Sequence, residues 1–332
     1  MLPFEKKPDE IYRGLELQLM SGEKYGDGYR IIAYRNDNYV DVYDDESIHF
    51  DTEEVFDVTE KGLNQHVQTR LRKVQFENHN GNEYIAFEFE DIKGRVISFS
   101  MKENSKKKTI HFNLLAPVGV GSEHPNFMPV FFMYQFDFMR VNHTQVQFEI
   151  DGKPISIDRF PMPMNRQFRY FARYSETCQL FEFINTDEKE LQVVETNEEN
   201  RYVEEHVEYQ FTNAGCLSQI DVLMETDKIK ISFLPELDLL KNSNGSFQIC
   251  PRKEMGMLEG TYEISNQKNQ VELRIVPING WASVPTSFLS RIILSKKSVF
   301  CTWSKGYELN ATMDLNTKQV EAKWTNHNIK DT

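Results

Sequence analysis

Cysteine is scarce in this chain: Cys178, Cys216, Cys250 and Cys301 are widely spaced, all in the second half, and no C-x-x-C pair occurs. That pattern fits reduced thiols better than a disulfide framework or a zinc site. No run approaches the roughly 18 consecutive apolar residues of a membrane span. The opening MLPFEKKPDEIYRG lacks both the apolar core and the small-residue cleavage site of a secretory leader. A cytoplasmic protein without membrane insertion is therefore expected. Positive charge is in deficit too, with 38 Lys and Arg against 51 Asp and Glu and a net charge of −13. A nucleic-acid backbone or an anionic membrane would be approached against the protein's own field, so neither is expected as a partner. The basic cluster Lys106–Lys108 reads as a solvated hairpin tip.

Motifs of several enzyme classes are missing as well. There is no G-x-S-x-G elbow and no phosphate-binding G-x-x-x-x-G-K-[ST] loop. The pair Gly119 and Gly121 has neither a third glycine nor a following helix. His-x-His and H-E-x-x-H spacings are absent among the eight histidines, so no metal and no cofactor are expected. Sustained apolar stripes at helical spacing are lacking, which argues against a parallel α/β fold. One or two helical turns within Ser283–Leu294, and another in Thr52–Asn64, are the helix signals the chain offers.

Alternation with period two is what the chain has in abundance. In Glu83–Glu90 (EYIAFEFE), Tyr84, Ala86 and Glu88 point one way and Ile85, Phe87 and Phe89 the other. The turn Asp91–Arg95 and the return run Val96–Met101 complete an antiparallel hairpin. Similar strands are expected at Gly28–Arg35, Tyr39–Tyr43, Thr109–Leu114, Val130–Phe138, Gln179–Asn185, His206–Thr212, Lys228–Leu234, Ser298–Trp303, Tyr307–Met313 and Gln319–Trp324. The polar stretch Asn185–Glu205 is expected to cross the surface around a short strand at Leu191–Val194. One hairpin pattern occurs twice, as FEIDGKPISIDRFP at Phe148–Pro161 and YEISNQKNQVELRIVP at Tyr262–Pro277. Copies this far apart exceed the roughly 20–50-residue period of a solenoid and point to a duplicated domain. With 332 residues, the chain is expected to divide into two β domains, 1–163 and 164–332. Aromatics make up 12% of it, including 24 Phe and 14 Tyr, enough for a large core or a lined cavity.

The order of Thr109–Leu115 (TIHFNLL), His124-Pro125, Phe131–Phe138 (FFMYQFDF) and the hairpin Gln147–Phe160 with Asp151-Gly152-Lys153 resembles the lipocalin-like family of carotenoid hydratases and AttH proteins. Where that family has a Trp- and His-rich segment after the hairpin, this chain has Phe160–Met164 (FPMPM). The resemblance implies an all-β fold of two tandem lipocalin-like (calycin-type) antiparallel β-barrels with few short helices. It also implies an apolar or amphipathic small molecule as partner, bound in a cavity, and a cofactor-independent hydratase, isomerase or cyclase activity as an elaboration. The alternative is a non-catalytic two-domain β-sandwich that recognises carbohydrate or a protein partner. The oligomeric state is left open by the sequence.

Candidate site residues follow from residue chemistry. Tyr134, Phe136 and Phe138 could line a cavity whose aromatic faces stabilise positive charge. His124, in a loop rich in Gly and Pro, and Asp158 are candidate proton donors. Arg159 and Arg274, at matching places in the two hairpins beside Asp158 and Glu272, are candidate ligand contacts, with a structural ion pair as the commoner role for such arginines. Trp281, after the second hairpin, either plugs a barrel end or stacks on a flat ligand. The run Arg166–Tyr174 (RQFRYFARY) is read as the junction between domains.

Overall fold

The computed structural model describes residues 2–4, 8–21, 25–50, 62–78, 83–104, 112–116, 124–163, 166–175, 177–223, 228–252, 255–285, 288–295 and 306–327. The protein is all-β, as its alternation requires. It divides into two compact units, 1–112 with 134–177 and 113–133 with 178–332. Among the described residues no helix is long and apolar enough to cross a membrane.

The first unit opens with β1 (Leu2–Pro3), β2 (Tyr12–Met20), β3 (Gly28–Arg35) and β4 (Val40–Asp45), neighbours in sequence and antiparallel in space, with β5 (Leu63–Thr69) added parallel to β4. Leu63 and Asn64, at the end of the stretch Thr52–Asn64 in which a helical turn is expected, begin a strand; residues 51–61 lie outside the described set. A second sheet is built from β6 (Arg72–Asn78), β7 (Glu83–Glu90) and β8 (Val96–Glu103). After β9 (Phe112–Ala116), the long β10 (Phe127–Arg140) returns the chain from the second unit to the first. The strands β11 (Thr144–Ile150) and β12 (Lys153–Pro154) then extend the second sheet in the order β12–β11–β8–β7–β6. Finally β13 (Arg169–Tyr174) pairs with β10.

The inward set of the β7–β8 hairpin is the one its alternation announces. Ile85, Phe87, Phe89, Ile97, Phe99 and Met101 are buried, and they share a core with Tyr12, Leu15, Ile31 and Tyr43 of the first sheet. Rings occupy its centre: Phe4 and Phe99 both pack on Phe148 at 5.0 and 5.5 Å, Phe87 on Phe99 at 5.2 Å, and Tyr43 on Phe89 at 4.8 Å. The two sheets are also stitched by polar bonds. The Tyr12 hydroxyl donates to Asp41 at 3.0 Å and lies 2.7 Å from the Tyr43 hydroxyl, which accepts the Ile92 N–H from the β7–β8 turn. Burial holds Tyr12 and Tyr43 above the ordinary phenol range, Tyr43 at about 12.

The second unit includes β14 (Thr177–Ile184), a neighbour of β10, and a ten-stranded antiparallel sheet. Its strands are β15 (Thr186–Glu190), β16 (Arg201–Glu204), β17 (Val207–Phe211), β18 (Leu217–Leu223), β19 (Lys228–Leu237), β20 (Ser243–Cys250), β21 (Met257–Gln267), β22 (Gln270–Ala282), β23 (Tyr307–Asp314) and β24 (Gln319–Asn326). From β16 to β24 each strand pairs with the next, and β15 completes the sheet beside β24. No pairing among the described residues joins β15 to β16 and closes the sheet. The polar stretch after Asn185 thus contributes its strand at Thr186–Glu190, ahead of the expected Leu191–Val194. The helix α1 (Phe288–Leu294) lies inside Ser283–Leu294, where the sequence offered a turn or two; Ser298–Trp303 lies outside the described residues.

Both copies of the repeated pattern form hairpins with two-residue turns in which both residues have positive φ, Asp151-Gly152 at 51° and 72° and Lys268-Asn269 at 55° and 74°. Positive φ at both central positions is the type I′ signature, whose twist matches the flanking strands. The aromatic and Ile of each copy are buried, Phe148 with Ile150 and Tyr262 with Ile264, and the intervening Glu149 and Glu263 are exposed. The copies differ in length: the first turns directly after Ile150, whereas β21 runs three residues past Ile264.

In the second unit, aromatic rings lie over glycines across the β20–β21 pair. Tyr262 sits opposite Gly245, and Phe247 opposite Gly260. A Cβ added at Gly260 would stand 2.1 Å from the Phe247 ring and 2.6 Å from the Val276 carbonyl oxygen. Gly260→Ala is therefore expected to cost about 1–3 kcal/mol through overpacking, measured as a lower denaturation midpoint with an unchanged slope; wild-type stability would contradict this packing.

Candidate functional site

Two arrangements collect the polar chemistry of the chain, one inside the first unit and one on the surface of the second. The first begins with a consequence of strand period. Glu83 precedes Ile85, Phe87 and Phe89 in the inward register of β7, and Glu103 follows Ile97, Phe99 and Met101 in that of β8. Both are buried, at 1% and 2% exposure, one step beyond Tyr84–Lys102, the cross-strand pair at the open end of the hairpin. Two carboxylates at one end of an apolar core demand partners, since an uncompensated buried charge is expensive.

Those partners come from β10 and β13. A register irregularity between Phe138 and Arg140 lets both Asp137 and Arg140 face the interior although they are three residues apart. The Arg140 guanidinium lies 3.0 Å from Glu103, and the Arg140 N–H donates to the other Glu103 oxygen at 2.9 Å. Arg169 of β13 donates to Asp137 at 3.1 Å and to the Phe138 carbonyl. The Tyr174 hydroxyl donates to Glu83 at 3.1 Å. All six side chains are buried. Burial pushes the Glu103 carboxyl up, and the nearby guanidiniums of Arg140 and Arg169 only partly offset it. Burial and the Glu83 carboxylate hold Tyr174 above the ordinary phenol range.

An elevated carboxyl beside a tyrosine and two arginines has the chemistry of a general-acid site. Its burial gives it a different part: a clamp that holds β7, β8, β10 and β13 together. A second buried pair lies elsewhere in the first unit, where Arg30 grips both oxygens of Asp44 at 2.5 and 2.8 Å and His66 of β5 reaches the same carboxylate at 2.8 Å. Despite the opposing cost of burial, Arg30 and His66 hold Asp44 below the ordinary carboxylate range.

The residues singled out from sequence fall in different surroundings. Phe138 is half-buried with its ring edge-on to Phe160 at 4.8 Å, and Phe160 stacks on Phe171 at 3.9 Å. Beside them the exposed Arg159 lies over the Tyr170 ring at 5.1 Å. Asp158 is half-buried; its backbone carbonyl accepts the Phe171 N–H, and its carboxylate accepts the Arg159 N–H at 3.2 Å. Phe138, Asp158 and Arg159 are thus gathered around β13. Tyr134 and Phe136 belong to β10, but their side chains lie outside the described set. His124 is exposed in the segment before β10. Trp281 is buried and donates its indole N–H to the Met255 carbonyl at 2.7 Å, a plug in the second unit.

Arg274 is paired across strands with Glu308 of β23, through bonds of 2.8 and 2.7 Å, instead of with Glu272 of its own strand. This bidentate bond holds Glu308 down to about 2. The exposed face here forms a groove of about 370 Å³ lined by Asn244, Thr261, Glu263, Arg274 and Val276, with Gly245 and Tyr262 at its floor. Register explains the grouping, because Asn244, Glu263 and Arg274 are successive cross-strand partners and so are Ser246, Thr261 and Val276. Among the described residues no group of His, Cys, Asp or Glu is arranged to hold a metal ion.

These environments set two expectations. Arg140→Met should destabilise the first unit by about 3–5 kcal/mol, by stranding Glu103 in the core, whereas Arg274→Met, on a half-exposed pair, should cost no more than about 1 kcal/mol. Equal losses in urea denaturation would refute the distinction. Asp44, with its folded pKa depressed, adds stability that is present above its unfolded value and lost as pH falls through the folded one. Asp44→Asn should therefore flatten the acid limb of the stability curve, and an unchanged acid limb would show that the Arg30 and His66 bonds do not govern it. Compared with known proteins, the chain matches no family model, no curated protein and no solved structure.

Proposed function

We propose that this protein acts by recognition, binding a small polar ligand in the groove formed by β20, β21 and β22. The observation that carries this reading is the contrast between the two units. Rings in contact occupy the centre of the first, while the groove of the second is open and lined with an amide, a hydroxyl, a carboxylate and a guanidinium. Its volume falls within the ~300–1,000 Å³ of small-molecule sites. Donors and acceptors at this spacing suit a ligand rich in hydroxyls, such as a short carbohydrate. The Arg274–Glu308 pair orients the guanidinium without closing the groove, since half of the Arg274 side chain is exposed.

The lipocalin-like reading of the fold belongs to the same proposal. It is supported by the sequential up-and-down order of β16 to β24, which is how such barrels are wound. Hydration of an apolar substrate would require an acid within an enclosed cavity. The exposed position of His124 and the engagement of Asp158 with its neighbouring backbone favour binding over turnover.

Titration with mono- and disaccharides, followed by amide NMR, tests the proposal. Shifts confined to Asn244, Thr261, Glu263 and Arg274, lost in Glu263→Ala at an unchanged melting temperature, are expected. A stoichiometric apolar compound retained by the purified protein in native mass spectrometry would overturn it in favour of an enclosed ligand.

A further inference from the structure

A polar groove selects its ligand through the groups that its own structure leaves unengaged, so the bonds of each lining side chain decide what can be held there. Arg274 is already engaged: its Nε and Nη2 donate to the two carboxylate oxygens of Glu308 at 2.8 and 2.7 Å. The edge of the guanidinium that would grip a ligand carboxylate or phosphate side-on is thereby filled. Held down to about 2 by that bond, Glu308 stays ionised at neutral pH and keeps the pair neutral. Cross-strand partners continue the row from Arg274 to Asn310 of β23 and Lys323 of β24. Lys323 is engaged as well, by Glu321 of its own strand.

Glu263 is left over. It is the direct cross-strand partner of both Asn244 and Arg274. Among the described residues its carboxylate makes no hydrogen bond and no ion pair, the guanidinium beside it being taken by Glu308. Asn244 and Thr261 are likewise exposed, and their side chains have no hydrogen bond among the described residues. The groove therefore offers one amide, one hydroxyl and one carboxylate, and its uncompensated charge is negative.

We infer that the ligand of this groove carries a protonated amine, as an amino sugar does, and that Glu263 is the residue that selects it. This rests on recognition at the groove and names the class of ligand. An ammonium presents three donors and no acceptor. Acceptors for it stand together here: two oxygens on Glu263, the amide oxygen of Asn244 directly across the strand pair, and the hydroxyl of Thr261 two residues along the same face. The Asn244 amide N–H and the Thr261 O–H remain for hydroxyls of the ligand, and Val276 lies beside them for its carbon skeleton. An anionic sugar would instead meet Glu263 as a like charge and find the side-on edge of Arg274 occupied. A metal ion is poorly served, because among the described residues no group of three ligating side chains is gathered. The net charge of −13 adds a field that draws cations toward the protein.

Amide NMR titration of the full chain tests this, with D-glucosamine at a pH where its amine is protonated and with D-glucose, N-acetyl-D-glucosamine and D-glucuronate for comparison. Glucosamine and glucose should both shift Asn244, Thr261 and Glu263, with glucosamine bound about fivefold more tightly, an advantage that shrinks as salt is added. N-acetylation, which removes the charge, should abolish the advantage, and glucuronate should bind most weakly. Glu263→Gln should bring glucosamine and glucose to the same affinity. Glu272→Gln, exposed on β22 outside the groove, should keep the advantage, which separates a contact from the general field of the protein. Equal binding of glucosamine and glucose at the groove, or an advantage that survives Glu263→Gln or falls as far in Glu272→Gln, would overturn the role of Glu263 and leave recognition at the groove standing. Shifts with none of the four sugars, or shifts confined to other residues, would overturn both.

Discussion

Two glutamates in the inward register of a hairpin constrain everything around them. Glu83 and Glu103 lie at one end of the β7–β8 pair, with Ile85, Phe87, Phe99 and Met101 behind them. Carboxylates in that position must meet cations or hydrogen-bond donors. The chain meets the demand with strands distant in sequence: Arg140 comes from β10, and Arg169 and Tyr174 from β13. The irregularity in β10 has its reason here, because regular alternation would send Asp137 and Arg140 to opposite faces. Specific polar bonds thus define where β10 and β13 belong, a matter that apolar packing alone leaves loosely determined.

The second unit solves its packing by another route. Its ten-stranded sheet has buried rings from β20, β21, β23 and β24, and two of them are accommodated by glycines across the strand pair. Polar residues occupy the alternate positions. Where three adjacent strands present Asn244, Glu263 and Arg274 in one row, those residues line the surface groove. Interior and groove are therefore two faces of one alternation: Tyr262 and Ile264 point in while Glu263 between them points out. A shift of register by one residue would exchange the two faces and abolish both.

Much of this was legible in the residues. Period-two runs marked most strands, and the hairpin repeat marked turns that share the I′ geometry. Extending the Ile85–Phe87–Phe89 and Ile97–Phe99–Met101 registers by one inward position, two residues each, reaches Glu83 and Glu103, whereas charged pairs adjacent in sequence, such as Asp158-Arg159, do not mark them. Arg274 shows why adjacency misleads: its acid is Glu308, thirty-four residues away across a strand pair. The strand β5 was hidden for another reason. Asn64, Gln65 and Gln68 make Leu63–Thr69 nearly devoid of apolar alternation, and what holds it as a strand is the ladder to β4 and the bonds to Asp41 and Asp44, none of them encoded locally.

The chain crosses between its units three times, near residues 112, 133 and 177. β10 runs through one of these crossings, so a single strand belongs to both units. The consequence concerns synthesis. The first unit cannot complete its ion pairs until Arg169 and Tyr174 have left the ribosome, and by then part of the second unit, residues 113–133, has already been made and must wait for Cys178 onward. With the hairpin complete, Glu103 thus spends the synthesis up to Arg140 without its guanidinium, and Glu83 the synthesis up to Tyr174 without its hydroxyl donor. Solvation in that interval favours an open end for the nascent core, kept so until the last strand of the first unit arrives.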